Sequence, residues 1–71
     1  DVYRQMILNA LDTMGEATVL ELRTVLVGTF PSHMDEKQQS RKVSNILQAM
    51  KKEGIVEVYG TAHSARWKKA N

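Results

Sequence analysis

The sequence contains no cysteine and no long apolar run. Without cysteine, disulfide bonds and thiolate metal sites are excluded, and nothing indicates an oxidising compartment. A membrane helix needs about 20 consecutive apolar residues, and no segment approaches that length. The first ten residues do not form a secretory signal, because Asp1 and Arg4 interrupt their apolar positions. We therefore expect a cytoplasmic or nuclear protein that has no contact with a membrane.

Motifs that carry catalysis or hold cofactors are also missing. The chain has 71 residues, enough for one compact core but too few for a deep cleft between lobes. It contains no glycine-rich phosphate loop, nucleophile elbow or zinc-binding helix motif. His33 and His63 are far apart in the sequence, which does not favour a metal site. We expect no enzyme activity and no cofactor.

We expect one domain over residues 1–71, excised from a longer protein because it begins at Asp1.

Charge is distributed unevenly along the chain. Residues 1–36 carry two basic and six acidic residues, whereas residues 37–71 carry eight basic and two acidic ones. The two parts therefore have net charges of −4 and +6, although the whole chain has only +2. Such asymmetry favours an anionic partner. We expect the cations of residues 37–71 to converge on one side of the folded chain.

Apolar spacing predicts two helices in the acidic half. Residues at three- and four-residue steps indicate a helix over residues 2–14, followed by Gly15. Its inward side is predicted to consist of Tyr3, Met6, Ile7, Ala10, Leu11 and Met14. Residues 16–18 form a short link, in which Thr18 and Glu21 make a capping box for a second helix over residues 19–27. Gly28 ends that helix, whose predicted inward residues are Leu22, Val25 and Leu26.

A loop over residues 28–35 precedes the longest predicted helix. Pro31 disfavours a helical backbone conformation at Phe30. Phe30 and Met34 are expected to pack into the core from the loop. The third helix is expected from about residue 35 to residue 53, capped by Ser32 or Asp35. Gly54 ends it. Its inner stripe is predicted to be Val43, Ile46, Leu47 and Met50.

After this helix, the spacing of apolar residues changes to every second residue, which is typical of a strand. Residues 55–59 and 65–68 alternate as two strands, joined by a turn over residues 60–64, and together they predict a hairpin. Trp67 is expected to face the helices, with Arg66 and Lys68 facing outward. Among the aromatic residues we assign Tyr3, Phe30 and Trp67 to the core, and Tyr59 to the outside.

The order helix, helix, helix, hairpin resembles the winged helix-turn-helix family. Residues 15–22 (GEATVLEL) are similar to that family's entry into helix two. Residues 43–56 (VSNILQAMKKEGIV) are similar to the end of its recognition helix and the strand that follows, and residues 59–67 are similar to its wing. The resemblance implies an α+β fold of three helices with a C-terminal β-hairpin wing, and a DNA-binding function. The connection at residues 28–35 is longer than the tight turn of many members.

The outer face of the third helix provides the main candidate site. Arg41 and Asn45 lie nearly opposite the apolar stripe at 100° per residue. In the major groove, Arg can pair with guanine and Asn or Gln with adenine. The candidates on this helix are Lys37, Gln38, Arg41, Lys42, Asn45, Gln48 and Lys52. A solvated polar face is the alternative, since every surface helix has one.

The predicted wing adds five candidates that suit phosphate contacts. They are Thr61, His63, Ser64, Arg66 and Lys68. We expect double-stranded DNA as the partner, with helix three in the major groove and the wing on the backbone. The alternative is a winged helix that binds a protein or a neighbouring domain as a subunit or regulatory module. The oligomeric state is left open.

Overall fold

A computed structural model describes residues 2–60 and 65–70. It is an α+β fold of three helices and an antiparallel sheet whose last two strands form a C-terminal hairpin, which confirms the predicted fold class. This arrangement is consistent with a helix-turn-helix followed by a β wing. The elements are α1 (Val2–Met14), β1 (Glu16–Ala17), α2 (Val19–Leu26), a 3₁₀ turn (Val27–Thr29), α3 (Glu36–Lys52), β2 (Val56–Tyr59) and β3 (Arg66–Lys69).

The sheet has a third strand that the sequence pattern does not predict. Strand order is β1-β3-β2, with both pairings antiparallel. The link before α2 forms β1, in which Glu16 lies opposite Lys68 and Ala17 lies opposite Trp67. Two residues are too few to show a period of two, so only their pairing with the distant β3 makes them a strand.

Twelve buried apolar residues form one core between the helices and the inner face of the sheet. Trp67 and Phe30 are 4% and 7% exposed, as predicted. Tyr3 is half-buried and stacks on Phe30, with ring centroids 5.5 Å apart. Met34 packs against the core from the connection between α2 and α3. The core residues are Ile7, Ala10, Leu11, Ala17, Leu22, Leu26, Phe30, Val43, Leu47, Met50, Val56 and Trp67.

Two residues predicted to face inward are exposed. Val25 on α2 is 42% exposed and Met14 at the end of α1 is 41% exposed. The eight-residue α2 buries only Leu22 and Leu26. Val25 directly precedes Leu26, and its side chain points away from the buried side of the helix. The predicted end at Gly28 also differs, since the α-helix ends at Leu26 and continues as a 3₁₀ turn.

Reciprocal side-chain caps start both α2 and α3. Thr18 and Glu21 form the predicted capping box of α2. At α3, Asp35 is the cap and Ser32 is not. The Asp35 carboxylate accepts a hydrogen bond from the Gln38 backbone N–H at 2.8 Å, and the Gln38 side chain accepts one from the Asp35 backbone N–H at 3.0 Å. These bonds satisfy N–H groups that otherwise have no partner at a helix start.

A buried glutamine joins α3 to α2 and to their connection. Gln39 is 9% exposed and is the one buried polar residue among residues 2–60 and 65–70. Its amide nitrogen donates to the Met34 carbonyl at 3.0 Å. Its amide oxygen accepts from the Arg23 guanidinium at 3.1 Å. Since Gln39 lies on α3 and its two partners lie on α2 and on the connection, this residue orients α3 against the rest of the fold.

Candidate nucleic-acid interface

The fold leaves one face of α3 open to solvent. The buried side of α3 consists of Gln39, Val43, Leu47 and Met50. Side chains about half a helical turn away must therefore point outward. The structure exposes five of the predicted site residues on that side: Lys37, Arg41, Asn45, Gln48 and Lys52.

This face is unusually free of negative charge. Residues 37–52 contain five cations and no acidic residue. Three acidic residues lie just outside the segment: Asp35, which caps the start of α3, and Glu36 and Glu53, which are paired with arginines of other helices. Arg23 lies 3.6 Å from Glu36, and Arg4 donates two hydrogen bonds to Glu53. The outer face of α3 therefore retains its positive charge.

The cations of the chain divide into two groups by their partners. Six of the ten lysines and arginines make an ion pair or lie over an aromatic ring. The remaining four have no such partner within the part of the chain that the structure describes, and all four lie on α3. They are Lys37, Arg41, Lys51 and Lys52. Lys51 is not among the candidates predicted from the sequence, although the helical period places it on the flank of the same exposed face.

Two predicted site residues on α3 have structural partners. Gln38 uses its side-chain oxygen in the Asp35 capping box. The ammonium group of Lys42 lies 5.0 Å from the centroid of the Tyr3 ring, a cation–π geometry. Lys42 is also only partly exposed. Neither side chain is as available to a ligand as those on the open face.

The outer face of the sheet is charge-balanced. Glu16, Lys68 and Glu57 lie in one row across β1, β3 and β2. The Lys68 ammonium is 3.4 Å from the Glu57 carboxylate and 5.5 Å from the centroid of the Tyr59 ring. Arg66 lies 3.8 Å from Glu16. Two cations and two carboxylates cancel, so this face has no net charge to attract a polyanion.

The expected convergence of cations is therefore correct only for α3. The prediction of outward-facing Arg66 and Lys68 is confirmed by their exposure, but acidic neighbours offset both. Lys69 is held by Asp12 of α1 at 2.8 Å. The predicted wing contacts Thr61, His63 and Ser64 lie outside the described residues.

Known proteins provide no family for this chain. No family model, no curated protein and no solved structure matches it. The winged helix resemblance therefore depends on the residues and their order alone, and membership of that family stays a prediction. The functional argument must come from the site itself.

Proposed function

We propose that this chain binds double-stranded DNA through the outer face of α3. The observation that carries the proposal is the unopposed charge of Lys37, Arg41, Lys51 and Lys52 on one exposed helix. Such a charge distribution suits a polyanion. The chain would act as a binding module in transcriptional regulation or within a larger protein, not as an enzyme. Its compartment would be the bacterial nucleoid or the nucleus.

The dimensions of α3 favour duplex DNA over duplex RNA. Its 17 residues form a rod about 25 Å long. The B-DNA major groove, about 12 Å wide, admits an α-helix. The major groove of A-form RNA is too narrow and deep for side chains to read. Arg41, Asn45 and Gln48 on the exposed side have the donor and acceptor groups that recognise base edges.

The charge pattern predicts a moderate salt dependence. Each phosphate neutralised by a cation contributes about −0.9 to the slope of log K against log salt. Four unopposed cations on α3 therefore predict a slope of about −3.6. A larger site that also uses Lys42, Arg66 and Lys68, but not Lys51, would have six cationic contacts. Its predicted slope is about −5.4. The measured slope distinguishes a site restricted to α3 from one that includes the wing.

A titration of duplex DNA at several salt concentrations tests the proposal. Arg41→Ala should weaken binding by about 1–3 kcal/mol if the side chain contacts a base. Arg66→Ala is the matched control, because it removes the same formal charge from a residue whose neighbour Glu16 already offsets it. We expect this control to retain most of the affinity. Duplex RNA of the same sequence should compete poorly.

Two results would overturn the proposal. The first is no binding of the unmodified chain to duplex DNA at low salt. The second is an equal loss of affinity in Arg41→Ala and Arg66→Ala, since a contact at α3 requires the two to differ. Circular dichroism of both variants would establish that they are folded.

A further inference from the structure

Two side-chain amides on α3 have no hydrogen-bond partner within residues 2–60 and 65–70. That part of the chain contains six asparagine and glutamine side chains. Four of them form side-chain hydrogen bonds: Gln5, Asn9, Gln38 and Gln39. The other two are Asn45 and Gln48, and both are exposed. The amides that are open to a ligand therefore lie on the same helix as the unopposed cations.

The two amides lie between cations along the exposed side of α3. Asn45 and Gln48 are three residues apart, so they are neighbours on the helix surface. Arg41 precedes Asn45 by four residues, or about 6 Å of helix axis. Lys52 follows Gln48 by four residues, again about 6 Å. A polyanion held by these cations therefore lies against the amides.

The major-groove edge of adenine is complementary to a side-chain amide. Adenine has an acceptor, N7, beside a donor, the N6 amino group. An amide has one acceptor oxygen and one donor nitrogen, so it can form both hydrogen bonds with one adenine. Guanine presents two acceptors, cytosine one donor, and thymine one acceptor. Adenine is therefore the base that uses both ends of the amide.

We infer that Asn45 and Gln48 select adenine in the major groove of the bound duplex. This inference rests on the proposed DNA-binding function and adds the base that the site prefers. The lysines around the two amides hold phosphates, which position the helix and carry no sequence information. The amides provide base contacts, and because they are neutral they add nothing to the salt dependence.

Replacement of adenine by 7-deazaadenine tests the inference on the unmodified chain. The analogue lacks the N7 acceptor and keeps both the base pair and the minor-groove edge. The probes are two duplexes with alternating guanine and adenine on one strand, one of which carries 7-deazaadenine at every adenine position. The unmodified chain should bind the analogue duplex about fivefold or more weakly, the lower limit for loss of one bidentate base contact.

Two pairs of substitutions assign the effect to α3. The double variant Asn45→Ala with Gln48→Ala should bind the two duplexes equally. The matched control is Gln5→Ala with Asn9→Ala, which makes the same chemical changes at exposed positions of α1 and should keep the preference for adenine. Lys37→Ala should weaken binding to both duplexes by the same factor, because a phosphate contact does not depend on the base.

The possible results separate this inference from the DNA-binding proposal. Equal affinity of the unmodified chain for the two duplexes would overturn the adenine preference and leave DNA binding intact. A double α3 variant that still prefers adenine, or an α1 control that loses the preference, would also overturn it. If the unmodified chain binds neither duplex at low salt, both proposals are wrong. Circular dichroism should show that each variant is folded, as expected for alanine at exposed helix positions.

Discussion

Replacement of Gln39 by alanine should lower the free energy of unfolding by roughly 2–4 kcal/mol. The substitution removes the hydrogen bonds to the Met34 carbonyl and to the Arg23 guanidinium. A neutral hydrogen bond contributes about 0.5–1.5 kcal/mol and one to a charged group about 1.5–3 kcal/mol. The higher helix propensity of alanine offsets only a few tenths of a kcal/mol. The Arg23 side chain is only 14% exposed, so water replaces the lost acceptor poorly.

Urea unfolding followed by fluorescence of the buried Trp67 measures this effect. Trp67 is the single tryptophan of the chain and is 4% exposed. Gln48→Ala is the matched control, because it makes the same chemical change on the exposed side of the same helix. The control should stay within about 0.5 kcal/mol of the unmodified chain. Equal stability of the two variants would refute the role of Gln39 as the residue that joins α3 to α2.

Two further predictions concern pH and backbone geometry. The hydrogen bond from Arg4 lowers the pKa of Glu53, so the pair stabilises the fold above the ordinary glutamate pKa of about 4.3. That stabilisation should disappear as pH falls through the lowered pKa. Urea unfolding at several pH values should therefore show that Glu53→Gln is less stable than the unmodified chain near neutral pH, and that the difference in the free energy of unfolding disappears in acid. Gly54, with φ of +78°, follows the α3 C-cap and has open space where a Cβ would lie. Gly54→Ala should therefore cost about 1–2 kcal/mol through backbone conformation alone, and a cost below about 0.5 kcal/mol in thermal unfolding would contradict this reasoning.

Features that depend on residues close together in the chain can be read directly from the sequence. The capping pairs Thr18–Glu21 and Asp35–Gln38 join residues three positions apart, so they predict helix starts without knowledge of the fold. The alternation around Trp67 likewise predicts which side of its strand is buried. The absence of acidic residues between 37 and 52 is visible directly, and the helical period places four of the five cations there, all but Lys42, on one exposed face or its flank.

Which of the charges remain unopposed depends on contacts between residues that are distant in the sequence. Arg66 and Glu16 are fifty positions apart, and sheet pairing alone brings them within 3.8 Å. The same pairing makes β1 a strand, and the packing of α2 leaves Val25 outside the core. The local spacing of residues contains no information on such contacts. The register of the strands and the packing angles of the helices arise when apolar residues that are distant in the sequence are buried in one core.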